Sequence, residues 1–229
     1  MVDYRKLRPN NLTSPQFRHL FLLLFWPVFG ILFALVEKDV FHPTYTPIWC
    51  PLDDVIPFCE WFMIPYMFWF VFLVGMHLYL LLFDIPAFRR FQYFVYVTYG
   101  VTMLVYILYP TSQELRPPEF ARDNFLTRFI ESFYAFDTNT NVCPSLHVAG
   151  SMAVGFAAWD TKRFQTPLWR TLFMGMALLI SISTVFVKQH SILDVFWAMV
   201  LCVLAYIVVY KIPWDKLRGR KKVSHGAQG

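Results

Sequence analysis

The chain has 229 residues, of which 57% are hydrophobic, 20% aromatic and only 15% charged, where an ordinary globular domain carries roughly 25% charged residues. Such a composition, broken into long apolar runs, excludes a disordered chain, a fibrous repeat and a disulfide-dense scaffold, and describes a protein of the bilayer. The net charge of +5 does not come from a basic stripe interleaved with exposed aromatics, so no nucleic-acid partner is expected.

Six runs are expected to span a hydrocarbon core about 30 Å thick: near 19–36, 61–83, 93–109, 144–159, 171–187 and 191–210. The expected fold is an all-α membrane bundle in one domain. The fourth run is short and carries Ser145, His147 and Ser151, so its outer end is read as lining a wet cavity. Most basic residues lie before the first run, around Arg89 and Arg90, around Lys162, Arg163 and Arg170, and in the tail from Lys211 to Lys222. Cytoplasmic loops are enriched in Lys and Arg, which puts both termini in the cytoplasm and the alternate loops outside. The first run ends in Glu37-Lys38-Asp39 with no small-residue cleavage site, and is expected to stay as a helix. The tail Arg218–Lys222 reads as a topology anchor.

Between the first two spans, the segment from Glu37 to Glu60 carries Trp49, Pro51, Pro57 and Trp61. It is expected to lie on the headgroups, as a connector or as a lid. Cys50 and Cys59 fall in this outer segment, where an oxidising compartment would permit a bridge and where two unpaired thiols are equally expected. The four cysteines fit no metal spacing.

Of six histidines, His19, His42 and His225 are flanking or terminal, and His77 is alone in the second span; these read as interfacial or packing residues. His147 and His190 stand at outer helix ends beside other polar groups, in Asn141-Val-Cys-Pro-Ser-Leu-His147 and Lys188-Gln-His190-Ser-Ile-Leu-Asp194. His190 and Asp194 are four apart, so on one helix their Cβ atoms would lie about 6 Å apart. The carboxylate can then fix the ring tautomer and stabilise positive charge, as a nucleophilic or general-base histidine requires. Pro144 is expected at the first helical position, leaving outward amides and the Ser145 hydroxyl as an anion site one turn from His147. Arg116, followed by Pro117, offers a bidentate grip on phosphate, and Lys188 is a second cation nearby.

At these residues the sequence resembles the type 2 phosphatidic acid phosphatase superfamily of integral membrane enzymes. Its three signatures are K-x6-R-P, P-S-x-H and S-R-x5-H-x3-D. The chain keeps Arg116-Pro117, the complete Pro144-Ser145-Leu146-His147, and Ser183, His190 and Asp194, in order. It departs at Tyr109, where the family has lysine, and at Thr184, where the family has arginine. Pro-Ser-Leu-His and Lys-Gln-His look more like the branch that includes inositol phosphorylceramide synthases, which move a phospho-headgroup to an alcohol.

The resemblance implies a phosphatase acting on a phospholipid or isoprenoid phosphate at the extracytoplasmic face, in the plasma membrane, with no cofactor and no metal. His190 would be the nucleophile, Asp194 its partner and His147 the acid and base, while Arg116, Ser145 and Lys188 would hold the phosphoryl oxygens. Headgroup transfer is the alternative. Two other readings are a two-His, one-carboxylate metal site formed by His147, His190 and Asp194, and a binder or transporter of anionic lipid without chemistry.

Overall fold

The computed structural model describes residues 2–38 and 44–214; His42, His225 and the tail Arg218–Lys222 lie outside them. The described chain is mostly helical. In order come α1 (Arg18–Glu37), the short α2 (Pro51–Val55), α3 (Glu60–Phe83), α4 (Ile85–Leu108), α5 (Phe125–Phe136), α6 (Leu146–Asp160), α7 (Pro167–Phe186) and α8 (Ile192–Lys211). α1 opens in 3-10 turns through Leu24, and α8 ends in a π-helical turn.

Five helices, α1, α3, α4, α7 and α8, are long and apolar enough to cross a membrane. The fourth expected span, 144–159, corresponds to α6, which has 15 residues and so measures about 22 Å, less than the hydrocarbon thickness. What it lacks in length it has in burial: Val148 to Ala158 are buried without a break. α6 is the axis of the bundle, packed against α3, α4, α7 and α8.

Besides α7, which starts at Pro167 rather than near 171 and so contains Arg170, two boundaries differ from the sequence expectation. Arg89 and Arg90, expected in a connecting loop before a span at 93, lie inside α4, which starts at Ile85 because the Asp84 carboxylate accepts from the Ala87 amide at 3.1 Å and Pro86 occupies the first turn. Arg90 then reaches Asp160 at the end of α6, at 2.6 Å. Second, α6 begins at Leu146, with Ser145 as its N-cap and Pro144 outside the helix.

Small residues on α6 let its neighbours approach, as in other membrane bundles. A Cβ added at Gly155 would meet the Met174 side chain of α7 at 3.1 Å, and one at Gly150 would meet the Tyr99 hydroxyl at 2.6 Å and Trp69 Nε1 at 2.7 Å. Gly150 therefore sets how closely α3 and α4 close around the start of α6. The peripheral histidines are packing residues: His77 bonds Trp26, Gln92 and the Leu73 carbonyl, and His19 bonds the Tyr4 hydroxyl at 2.7 Å.

At the end of the bundle where α6 and α8 begin, three loops knit together. A two-residue parallel pairing joins Thr46–Pro47 to Thr111–Ser112, and Ser112 bridges to Thr140. α5, capped by Asn124, folds over the same end. Cys50 and Cys59 are separate thiols. Because Trp69 and Tyr99 cannot retreat from α6 without leaving their packing, Gly150→Ala is expected to destabilise the protein by about 1–3 kcal/mol, measurable as a lowered thermal midpoint in detergent. An unchanged midpoint would mean that the helices yield at this contact.

Candidate active site

The segment between α7 and α8 is fixed through its own backbone groups. Thr184 O accepts from the Gln189 and His190 amides, at 3.0 and 3.2 Å. The Val187 carbonyl accepts from the Tyr134 hydroxyl of α5 at 2.6 Å, and the Lys188 carbonyl from Gln113 Nε2 at 2.9 Å. Lys188 itself takes a left-handed backbone conformation, φ 52°, uncommon for a residue with a Cβ.

His190 emerges from this turn and its Nδ1 lies 3.2 Å from Asp194 Oδ2. The carboxylate accepts, so Nδ1 carries the hydrogen and the lone pair is on Nε2. Asp194 is fully buried, and the same oxygen also accepts from the Ser191 amide at 2.9 Å. His147 enters from the first turn of α6. Its ring is held between Tyr66, at 4.3 Å between centroids, and Trp69, at 4.4 Å. The two imidazoles face each other edge to face at 6.0 Å between centroids, and His147 Nε2 has no hydrogen-bond partner among the described residues.

Both rings line a cavity of about 320 Å³. Its walls are aromatic, from Trp26, Phe29 and Phe33 of α1, Trp69 and Phe70 of α3, Tyr99 and Tyr106 of α4, and Phe133 and Phe136 of α5. Its polar end is made by Glu37, Asp137, Thr138, Thr140, Asn141 and Gln189.

All three expected phosphate-holding residues are engaged with the protein itself. Arg116 donates through Nη1 to Tyr134 O at 2.9 Å, and through Nη2 to Asp137 O at 2.6 Å, Thr138 O at 2.9 Å and Gln189 Oε1 at 2.6 Å. It stacks on Tyr134 at 4.4 Å and does not line the cavity. Lys188 Nζ donates to the carbonyls of Asp53 and Ile56, at 2.6 and 2.5 Å, on the far side of the turn. Ser145 Oγ caps the Val148 amide of α6. At the two departures from the motif, Tyr109 is exposed and Thr184 is buried, bonded to Ser181 O at 2.8 Å.

The sequence reading missed Asp53. Its carboxylate is buried and accepts from Ser191 Oγ at 2.6 Å, from the Ile192 amide at 2.8 Å and from the Cys50 amide at 2.9 Å. Ser191 is thus gripped by Asp53 through its hydroxyl and by Asp194 through its amide, which ties α2 to the residue beside His190. Only a second carboxylate after a Pro-Leu turn start hints at this in the sequence. Asp137 was missed too. It accepts from the Tyr66 hydroxyl and from Gln189 Nε2, each at 3.2 Å. Burial holds its carboxyl above the usual range, although His190, Arg116 and the Tyr66 bond pull the other way.

Among the described residues no group of three or more His, Cys, Asp or Glu side chains is arranged to hold a metal ion, so the metal reading of His147, His190 and Asp194 gains no support from the geometry.

Fold and site together define a multi-pass membrane protein with two opposed imidazoles at one end of its helical bundle. The chain belongs to the PAP2 superfamily, whose family profile matches residues 90–218, more than half of the 229. No curated protein and no solved structure matches the chain. Membership supports a phosphatase or phosphotransferase acting on lipid phosphates.

Replacing Asp53 by alanine strands the Ser191 hydroxyl and the Ile192 amide, at about 1–3 kcal/mol for each unsatisfied buried group. The Asp53→Ala protein is expected to exchange the amide hydrogens of residues 188–192 faster than wild type while the α6 core stays protected. Unchanged protection at 188–192 would show that Asp53 does not hold the turn.

Proposed function

We propose that the protein cleaves a phosphoric ester of a membrane lipid through a phosphohistidine formed on His190. The observation that carries this reading is the pair of facing imidazoles, one with its tautomer set by a buried carboxylate. A phosphoryl group between rings 6.0 Å apart at their centroids lies near the attack distance of about 3–3.5 Å. His190 Nε2 bonds to phosphorus and the bond from phosphorus to the leaving alkoxide breaks. His147, as imidazolium, gives that alkoxide its proton. In the second step His147 takes a proton from the incoming water or alcohol, which displaces His190. Asp194 stabilises the charge that appears on His190.

Arg116 contributes through Gln189, holding the residue next to His190, and Lys188 through the loop 53–56. The aromatic walls suit acyl or prenyl chains, which would enter laterally from the bilayer past the exposed Phe136 of the cavity wall. We place this end of the bundle at the extracytoplasmic face and α6 as a sixth, shortened span, which returns both termini to the cytoplasm. Phosphatidic acid or an isoprenyl phosphate is the simplest substrate for a phosphatase of this family. The absence of any lysine or arginine among the described cavity-lining residues favours a second reading, in which a phosphodiester headgroup is transferred to an alcohol.

Loss of a group that stabilises the transition state costs 10²-fold or more in rate. His190→Ala is expected to abolish ester cleavage in a panel of phospholipids and prenyl phosphates, and Asp194→Asn to lower it about 10²-fold or more, with expression intact. His190→Ala protein that still turns over any of these lipids contradicts the reading.

A further inference from the structure

α5 carries more apolar surface than the bundle covers. Its inner side is accounted for: Ile130 is buried in a cluster with Met63 and Tyr66 of α3 and with Val187, joined at the edge by Phe133 and Tyr134. At about 100° per residue, Phe125, Phe129 and Phe136 fall within about 40° of one another, whereas the buried Thr127 and Ile130 lie about 140–200° away. This second apolar edge has no protein over it, since Phe125 is 81%, Phe136 86% and Phe129 38% exposed. Arg128 and Glu131, both exposed, lie round the other way, about 60° and 120° from Phe125, and Arg128 pairs with Asp123 at 2.6 and 2.8 Å. The helix therefore has three edges, one packed on the protein, one charged and one aromatic. A helix packed on a protein and otherwise in water needs only the first two.

The neighbours of the aromatic edge show what covers it. A groove of about 360 Å³ opens between α3 and the start of α5, lined by Trp61, Ile64, Asn124, Phe125 and Leu126. Trp61 and Ile64 are exposed and begin an outward stripe of α3 that continues through Phe68 and Val71, on a helix long and apolar enough to cross a membrane. Tryptophan is enriched where hydrocarbon meets headgroups. Beside Trp61, the Glu60 carboxylate accepts from Arg122 and from the Asn124 side-chain amide, each at 3.2 Å, so charged pairs begin where the apolar stripe of α3 stops. Phe125 thus continues the lipid-facing side of α3 around the end of the bundle.

We infer that α5 is an in-plane helix whose Phe125, Phe129 and Phe136 edge is sunk among the acyl chains of the leaflet at this end of the bundle, with Arg128 and Glu131 turned to headgroups and water. The same helix gives Phe133 and Phe136 to the cavity wall, and its Tyr134 hydroxyl holds the Val187 carbonyl. The leaflet therefore steadies both the wall of the cavity and the turn that carries His190. The placing of α5 is independent of the chemistry performed at His190.

The test puts the photoreactive residue p-benzoylphenylalanine, one position at a time, in place of Phe125, Phe129, Phe136, Glu131 and Val71 in the full-length protein, reconstituted in phosphatidylcholine vesicles. After irradiation and digestion, lipid adducts are identified by the mass difference between ordinary and chain-deuterated lipid. Adducts are expected at Phe125, Phe129 and Phe136 as at Val71, the reference on the outward side of α3, and only background at Glu131. Each of the three phenylalanine positions reports alone, so loss of one variant to misfolding leaves the other two to decide. Lipid adducts at Val71 without any at the phenylalanine positions overturn the inference, as do adducts at Glu131 as abundant as those at Phe125. Adducts that join two copies of the chain through Phe125 or Phe136 in place of lipid overturn it too, by showing that a second copy covers this edge.

Discussion

The site depends on a short turn, residues 187–192, being held still at the mouth of an apolar bundle. A histidine that must keep one nitrogen protonated and the other bare cannot rely on water to orient it. Here Asp194 sets the tautomer, and Ser191 is locked between Asp194 and Asp53. Buried carboxylates are costly unless their oxygens are met by donors. Asp53 accepts from two amides and a hydroxyl, and two of these donors, Ser191 Oγ and the Ile192 amide, lie at the start of α8, where the helix dipole also favours negative charge. For Asp53 the expense of burial is offset by the groups that fix the turn, whereas Asp194 is met by donors at Oδ2 alone.

The same logic explains why the obvious cations are not in the cavity. The carbonyls of Asp53 and Ile56 and those of Tyr134, Asp137 and Thr138 need donors, and Lys188 and Arg116 supply them. Their hydrogen bonds join loops far apart in sequence: Arg116 links α5, the strand-like segment after it and Gln189, while Lys188 links the α7–α8 turn to α2. The result is a rigid frame around two imidazoles whose own cavity is left with acids, amides and aromatic rings.

Much of this was legible in the chain, for reasons that differ by residue. The long helices followed from apolar run length, though α2 and α5 did not, and His190 with Asp194 followed from i, i+4 spacing at a helix start, because both are local rules. His147 could be placed at a helix entrance, but the flanking rings of Tyr66 and Trp69 come from another helix and left no local trace. The roles of Arg116 and Lys188 were not legible: a side chain's donors are claimed by whichever carbonyls the tertiary fold brings near. Asp137 and Asn141 lie in the loop after α5, Glu37 ends α1 and Asp53 sits in the short α2, so it is the tertiary fold that brings them to this end of the bundle. α6 reads as a weak span because its burial by other helices, more than its length, defines it.

The central claim is that His147 and His190 act on one phosphorus atom between them, and a structure of the protein with vanadate tests it most directly. The account predicts a five-coordinate vanadium bonded to His190 Nε2, with a His147 nitrogen within hydrogen-bond distance of the opposite, apical oxygen. Vanadate bound in the cavity without a bond to His190, or bound where His147 cannot reach it, would contradict the account.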